Sequence, residues 1–334
     1  MISAGCGYLL LRTLNAQALL SALLDFNALW LLPGLALYFV GVWLRGLRWK
    51  VLLDPLVELP GRSLFRLQVI GFTVNDLLPA RVGELARAYV LWRETGVRPS
   101  STLGTIALER LLDGVVLVSF LGIAWLALPL GRFAVVAWVA GGVFLAAAVG
   151  CAVALRWPEW LLRALTLLSR PAPPRLRERL VGVARGFIEG LGAVRSGRAL
   201  ARALALTALA WLSEVGMYFV LMLGFPMTAG VPGAFVGAAV ANLGTMVPSS
   251  PGYVGTFDLP LQQVLVVLFD QEPNIAATYT LLVHAVLVVP VVVLGLIFLW
   301  QANIGLGDLS RRDVAVVPQR IGGAPGVASD GRRG

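Results

Sequence analysis

Long apolar runs separated by short polar stretches set the pattern of this chain. A helix that crosses a bilayer needs roughly 20 mainly apolar residues. Five runs reach that length, at residues 31–53, 101–128, 133–155, 201–225 and 276–300, and each predicts a spanning helix. A sixth apolar stretch at residues 5–11 is too short to cross. It leads through Arg12 into the mildly amphipathic residues 19–29. No basic region or cleavage-like site marks it as a signal peptide, so it reads as the end of a first helix that begins before this sequence.

The polar intervals set the orientation. Residues 45–66 carry five basic and two acidic side chains, residues 156–202 ten and three, and the segment from 301 onward five and three. The connections at 129–132, 225–232 and 270–275 hold only Arg132, Asp270 and Glu272. Because Lys and Arg collect on the cytoplasmic side, alternation across five spans gives consistent sides. It predicts a multi-pass protein of the inner or plasma membrane with a cytoplasmic C-terminus.

Two apolar segments break the alternation. Residues 64–78 lie between Arg62 and Arg66 on one side and Arg81, Arg87, Arg93 and Arg98 on the other, so a crossing would strand one cluster outside. Residues 231–269 are too long for one helix and, with their Pro and Gly breaks, too short for two spans. Both predict re-entrant helical hairpins, at 64–98 from the cytoplasm and at 231–270 from outside. Irregular backbone at membrane depth is tolerated only when buried in protein or lining a wet cavity. The first hairpin reads Asn75, Pro79, Gly83, Glu84; the second reads Asn242, Pro248, Pro251, Gly252, Gly255, Asp258. Matching breaks in two halves point to a transporter site. An inverted repeat and a chance likeness in a chain with 37 Gly and 19 Pro both fit.

The connection at 156–202 holds an amphipathic helix, with Leu176, Leu180, Val183, Phe187, Leu191 and Val194 at helical spacing and arginines between them. It suits either the anionic inner leaflet or packing on the protein. Residues 306–334 form a Gly-, Arg- and Pro-rich cytoplasmic tail whose composition predicts disorder.

Composition narrows the class. Hydrophobic residues are 58% of the 334, charged residues 13%, and mean hydropathy is +0.83. A soluble domain carries about 25% charged residues. A soluble enzyme, a disordered chain and a free nucleic-acid binder are therefore excluded, and the net charge of +9 first reports orientation. Two cysteines and one histidine leave no material for a Cys-based metal site or a Ser/His site. Gly305-Leu-Gly-Asp308 imitates an aspartyl protease motif but lies past the last span, and no HExxH, GxSxG or Walker A pattern occurs. Neither a cofactor nor catalytic residues are predicted.

Ionisable groups within apolar segments are costly and mark function by default. Arg81, Glu84 and Arg87 recur at i, i+3 and i+6 after the Pro79 break, an arrangement able to clamp an anionic headgroup or to anchor the hairpin by mutual ion pairs. Glu109 and Asp113, at i and i+4, share one face with Arg110 in reach of Asp113. Both carboxylates require cations, and Arg81 or Arg87 fits by sign. Glu214 has no local cation and must face the interior. His284 reads as a polar helix–helix contact rather than a proton carrier. The half-helix after Gly255, starting near Thr256, would aim its positive end into the membrane, suiting a phosphate or carboxylate.

At these residues the chain resembles the lysylphosphatidylglycerol synthase transmembrane, flippase-like family. The likeness rests on Arg45-Gly-Leu-Arg48-Trp49, Leu78-Pro79-Ala-Arg81-Val-Gly83-Glu84-Leu-Ala-Arg87, Glu109-Arg110-Leu-Leu-Asp113 and Pro251-Gly252-Tyr-Val-Gly255-Thr-Phe-Asp258. Asp258 stands where the family more often has glutamate. The resemblance implies a flippase-like domain over residues 1–305 with paired re-entrant helices and a lipid-handling role; synthase activity is not carried over. The expectation is an all-α polytopic membrane protein with two re-entrant hairpins that moves a phospholipid or polyprenyl-linked lipid between leaflets without enzymatic chemistry. Asn75, Arg81, Glu84, Arg87, Glu109, Arg110, Asp113 and Asp258 are the candidate substrate contacts. Expected partners are membrane lipids, anionic, aminoacylated or polyprenyl, and a separate glycosyltransferase or aminoacyltransferase, not nucleic acid. The alternatives are an ion-coupled small-solute transporter and a scaffold that presents lipid to a transferase.

Overall fold

A computed structural model describes residues 16–78, 81–129, 131–246 and 250–302. Pro79, Pro248, the apolar stretch at 5–11 and the tail at 306–334 lie outside the described residues. Within them the chain forms twelve α-helices and no strand. These are α1 (Ala16–Leu24), α2 (Leu31–Leu53), α3 (Gly61–Leu77), α4 (Gly83–Thr95), α5 (Pro99–Ala127), α6 (Ala134–Arg156), α7 (Pro158–Leu168), α8 (Pro174–Leu191), α9 (Gly197–Met222), α10 (Gly230–Gly244), α11 (Asp258–Phe269) and α12 (Pro273–Gln301).

Five stretches are long and apolar enough to cross a membrane: Ala28–Leu53, Ala134–Arg156, Gly197–Met222, Pro251–Phe269 and Pro273–Gln301. Four of them coincide with predicted spans. The fifth predicted span, 101–128, folds as α5, which carries Glu109, Arg110 and Asp113 in its first half and is not among the five. Pro251–Phe269, read from sequence as part of a hairpin, joins them instead. The chain is thus a multi-pass helical membrane protein. Its lipid-facing surface bears this out: on α6 only Ala154 is buried, and Trp138 and Trp157 stand exposed at its two ends. Nineteen residue steps along the helix separate them by about 28 Å, close to the thickness of a hydrocarbon core flanked by interfacial tryptophans.

The core is built on α2 and α9, which pack along their length, and on α12, against which α3 of one helix pair and α11 of another pack. In the pair α3/α4, α3 lies along the C-terminal half of α12. The Phe65 and Phe298 rings approach to 6.4 Å, and Thr73 Oγ1 donates to the Val291 carbonyl at 2.9 Å. The pair α10/α11 lies along the N-terminal half, where α11 packs on α12. The two turns meet near the middle of α12, with Gly252 against the Asp76 carbonyl oxygen.

The first pair closes through Gly83. A Cβ there would overlap the Gly71 carbonyl oxygen and come within 2.6 Å of Asn75 Oδ1. With hydrogen at that place, the Gly83 N–H instead donates to Asn75 Oδ1 at 2.8 Å and ties the start of α4 to the end of α3. Gly83→Ala is expected to destabilise the protein by about 1–3 kcal/mol, the usual cost of forcing atoms into a packed contact. Thermal unfolding in detergent reads this directly, and an unchanged midpoint would contradict the close approach.

The helix in the 156–202 connection, α8, uses two faces. Gly186 and Gly190 press it onto Ser100, Ser101 and Gly104 of α5, and Arg98 pairs with Glu189 at 2.6 Å. Leu176, Leu180, Val183 and Phe187 remain exposed. It packs on the protein through small residues and turns its apolar stripe outward.

Candidate functional site

A cavity of about 140 Å³ lies where the two helix pairs meet. Asn75, Asp76 and Arg81 of the first helix pair line it from one side, and Asn242, Thr245, Gly252 and Tyr253 from the other. The surrounding helices add Tyr38 and Arg45 (α2), Arg110 and Asp113 (α5), Trp211 and Glu214 (α9) and His284 (α12). Three guanidinium groups and three carboxyl groups thus share a space that, at about 30 Å³ per water, holds only a handful of waters or one small charged group.

Most of these charges are already paired. Arg45 bonds Glu214 at 2.6 Å and its guanidinium lies 4.7 Å from the Trp211 ring centroid. The other Glu214 oxygen accepts from Asn242 Nδ2 at 2.9 Å. Asp113 takes Arg48, Arg110 at 3.5 Å and the Trp211 indole N–H at 3.0 Å. Two groups are left over, both from the first pair. Arg81 and Asp76 make no ion pair among the described residues. The Arg81 guanidinium faces the Tyr253 ring at 5.6 Å, and its Nε is buried with no hydrogen-bond partner. Arg81 also holds φ at 56°, a left-handed conformation uncommon for a side-chain-bearing residue and often stored at functional sites.

Behind the cavity lies a second, fully buried group. Arg48 Nη1 binds Asp113, and Arg48 Nη2 binds Glu109 at 3.0 Å. The other Glu109 oxygen accepts from Arg87 at 2.7 Å. Arg87 stacks 3.8 Å from the Trp49 ring centroid, whose indole N–H donates to Thr105 Oγ1 at 3.1 Å. The i, i+4 spacing of Glu109 and Asp113 lets one planar guanidinium span both carboxylates.

Of the candidate contacts read from sequence, Asn75, Arg81, Arg110 and Asp113 line the cavity. Arg87 and Glu109 belong to the buried clamp. Glu84 lines neither; its Oε2 is buried and unpartnered. Asp258 binds the Gly255 N–H at 2.9 Å and His284 at 2.6 Å. Gly252 and Gly255 take positive φ, 64° and 83°, which explains glycine in that turn.

Two readings need correction. The i, i+3, i+6 arrangement of Arg81, Glu84 and Arg87 does not form, because α4 begins only at Gly83 and Arg81 sits in the turn before it. Arg45 and Arg48, counted with a cytoplasmic connection, are buried within α2, since their carboxylate partners lie on α5 and α9. The charge bias of that connection therefore rests on Lys50, Arg62 and Arg66. Asp76, Tyr38, Trp211 and Tyr253 were not singled out from sequence. An ionisable residue directly beside the Asn75 break was the available signal for Asp76.

On the far side of the second turn is an apolar groove of about 900 Å³ between α6, α10 and α11, lined by residues such as Val136, Val139, Val143, Leu243, Met246 and Leu259. Asn242 and Thr245 face the polar cavity while Leu243 and Met246 face the groove, so the end of α10 separates the two.

The protein family described as the lysylphosphatidylglycerol synthase TM region matches residues 1–295. A curated relative, glycosyltransferase AglD of Haloferax volcanii, is 26% identical over 306 residues, which is 82% of this chain and 49% of the relative. The chain thus spans about half the length of that protein. No solved structure matches it.

Proposed function

On the premise that this chain belongs to the lysylphosphatidylglycerol synthase TM region family, we propose that it moves a headgroup-bearing lipid between leaflets by alternating access around the central cavity. The observation that carries this reading is the uncompensated pair, Arg81 and Asp76, at the meeting point of two helix pairs. Arg81 would take an anionic phosphate and Asp76 a cationic amine, so a lipid carrying both charges fits best. The cavity admits only part of a headgroup. Chains would remain in lipid-accessible space such as the apolar groove behind the end of α10.

The opposed approach of the two pairs along α12 supports the reading of both as re-entrant hairpins, one from each side of the plasma membrane, with the C-terminus in the cytoplasm. The clamp of Arg48, Arg87, Glu109 and Asp113 is a positioning unit that fixes α2, α4 and α5 behind the site. A second reading has one specific support. The matched relative is named a glycosyltransferase, and on this second reading the membrane part presents a lipid carrier to a separate transferase activity.

The test is leaflet exchange in proteoliposomes with fluorescent phosphatidylglycerol, lysyl-phosphatidylglycerol, phosphatidylcholine and a polyprenyl phosphate. Exchange above that of protein-free vesicles, with rates that depend on the headgroup, is expected. Rates equal to those of empty vesicles for every lipid would sink the transport reading. Co-purification of a transferase under the same condition would favour the second.

A further inference from the structure

His284 is the chain's single histidine, and both ring nitrogens are engaged. Nε2 lies 2.7 Å from the Gly252 carbonyl oxygen, which can only accept, so Nε2 carries a hydrogen. Nδ1 lies 2.6 Å from Asp258 Oδ1. That contact also needs a hydrogen, because a bare ring nitrogen and a carboxylate oxygen would present lone pairs to each other. The imidazole–carboxyl unit therefore holds one proton more than a neutral ring beside a carboxylate. The second Asp258 oxygen accepts the Gly255 N–H, so a single bound proton ties α12, the start of α11 and the glycine turn together. The turn is otherwise held in an uncommon shape, with φ of 64°, 57° and 83° at Gly252, Tyr253 and Gly255.

His284 also reaches the central cavity. From α3 it is faced by Asp76, which has no ion-pair partner among the described residues, and from the first turn by Arg81. The remaining charges there are committed: Glu214 of α9 to Arg45 of α2, and Asp113 of α5 to Arg110 and Arg48. Tyr253 and Tyr38 contribute hydroxyl groups, and the Tyr38 hydroxyl donates to the Leu287 carbonyl. Asp76 is thus the uncommitted base that shares the cavity with the ring.

We propose that His284 and Asp258 form a proton-binding site, loaded through the central cavity, whose occupancy locks the glycine turn at residues 250–257 that leads into α11. With the proton bound, one hydrogen bridges Nδ1 and Oδ1, and a second holds the Gly252 carbonyl. When the proton leaves toward Asp76 and the cavity water, the ring keeps a single hydrogen, so either the Asp258 oxygen or the Gly252 carbonyl loses its bond to α12. The turn is then free to move relative to α3. Only the consequence for lipid movement rests on the transport reading; the site itself does not.

The chain's single histidine makes the test clean. In the 334-residue chain carrying no histidine tag, labelled with ¹⁵N-histidine and placed in lipid nanodiscs, hydrogen on both ring nitrogens is expected at pH 7. In Asp258→Asn, hydrogen on Nε2 alone is expected. A wild-type ring with one hydrogen at pH 7 overturns the proposal. The lock is read separately at Val254, which is exposed on the turn. A Val254→Cys thiol, in a Cys6→Ser, Cys151→Ser background, should react with a water-soluble maleimide at least about fivefold faster when Asp258→Asn is added. In the parent the rate, divided by that of the Asp258→Asn protein at the same pH to remove the thiol's own titration, should rise with pH through the loss of the second ring hydrogen. Equal labelling rates in the two proteins, or a rate that ignores the ring's protonation, also overturn it. Neither readout depends on leaflet exchange, so vesicles without transport and a proton site without a lock are separate failures.

Discussion

Replacing Arg48 with leucine is expected to cost about 3–5 kcal/mol of stability, the range for removing one partner of a buried ion pair. The effect belongs at the upper end because Arg48 serves two carboxylates at once, Glu109 and Asp113, and its side chain is wholly buried. After the substitution Glu109 retains Arg87, and Asp113 retains Arg110 at 3.5 Å and the Trp211 indole N–H. Each would carry negative charge in a low-dielectric interior with half its former compensation. The contrast is Arg98→Ala, which removes an exposed pair with Glu189 and should cost less than about 1 kcal/mol. Thermal unfolding of both variants in the same detergent compares them. If Arg48→Leu unfolded no earlier than Arg98→Ala, the clamp would not be organising α2, α4 and α5.

Arg81→Ala is expected to act in the opposite way, with little change in stability and a large loss of headgroup-dependent exchange. The guanidinium has no carboxylate partner among the described residues, so its removal strands no buried charge. A hydrogen bond to a charged group is worth about 1.5–3 kcal/mol, and each 1.4 kcal/mol is tenfold. Exchange of a phosphate-bearing lipid should therefore fall by about ten- to a hundredfold. Arg81→Lys keeps the charge but loses the planar fork and should fall between. The check is the vesicle assay beside an unfolding curve. A wild-type exchange rate in Arg81→Ala would remove the central support for the proposed headgroup contact.

These two arginines show how differently sequence and structure bear on the site. Arg81 was legible because it follows a proline break in an apolar segment, where local pattern alone marks an anomaly. Arg48 stands near the end of an apolar run, where a cation has an ordinary explanation as a flanking loop charge. Its partners on α5 lie 61 and 65 residues away, and the Glu214 partner of Arg45 lies 169 residues away. No periodicity within a helix carries that information. The same holds for His284, which one-dimensional reading treated as a polar helix contact. Its geometry depends on a turn 32 residues earlier.

By itself the sequence determined the helical class, the membrane setting, four of the five candidate spans and the two places where apolar helices break. Each follows from local physics. A backbone in hydrocarbon must satisfy its own hydrogen bonds, and clustered proline and glycine mark where it stops doing so, although a lone proline such as Pro290 is carried within α12. Only the tertiary structure decided which charges are neutralised and which are left over. Ion pairing depends on distances between separate helices, and those are set by packing. That selection turns a strongly basic chain into a cavity with, among the described residues, one unpaired guanidinium and one unpaired carboxyl.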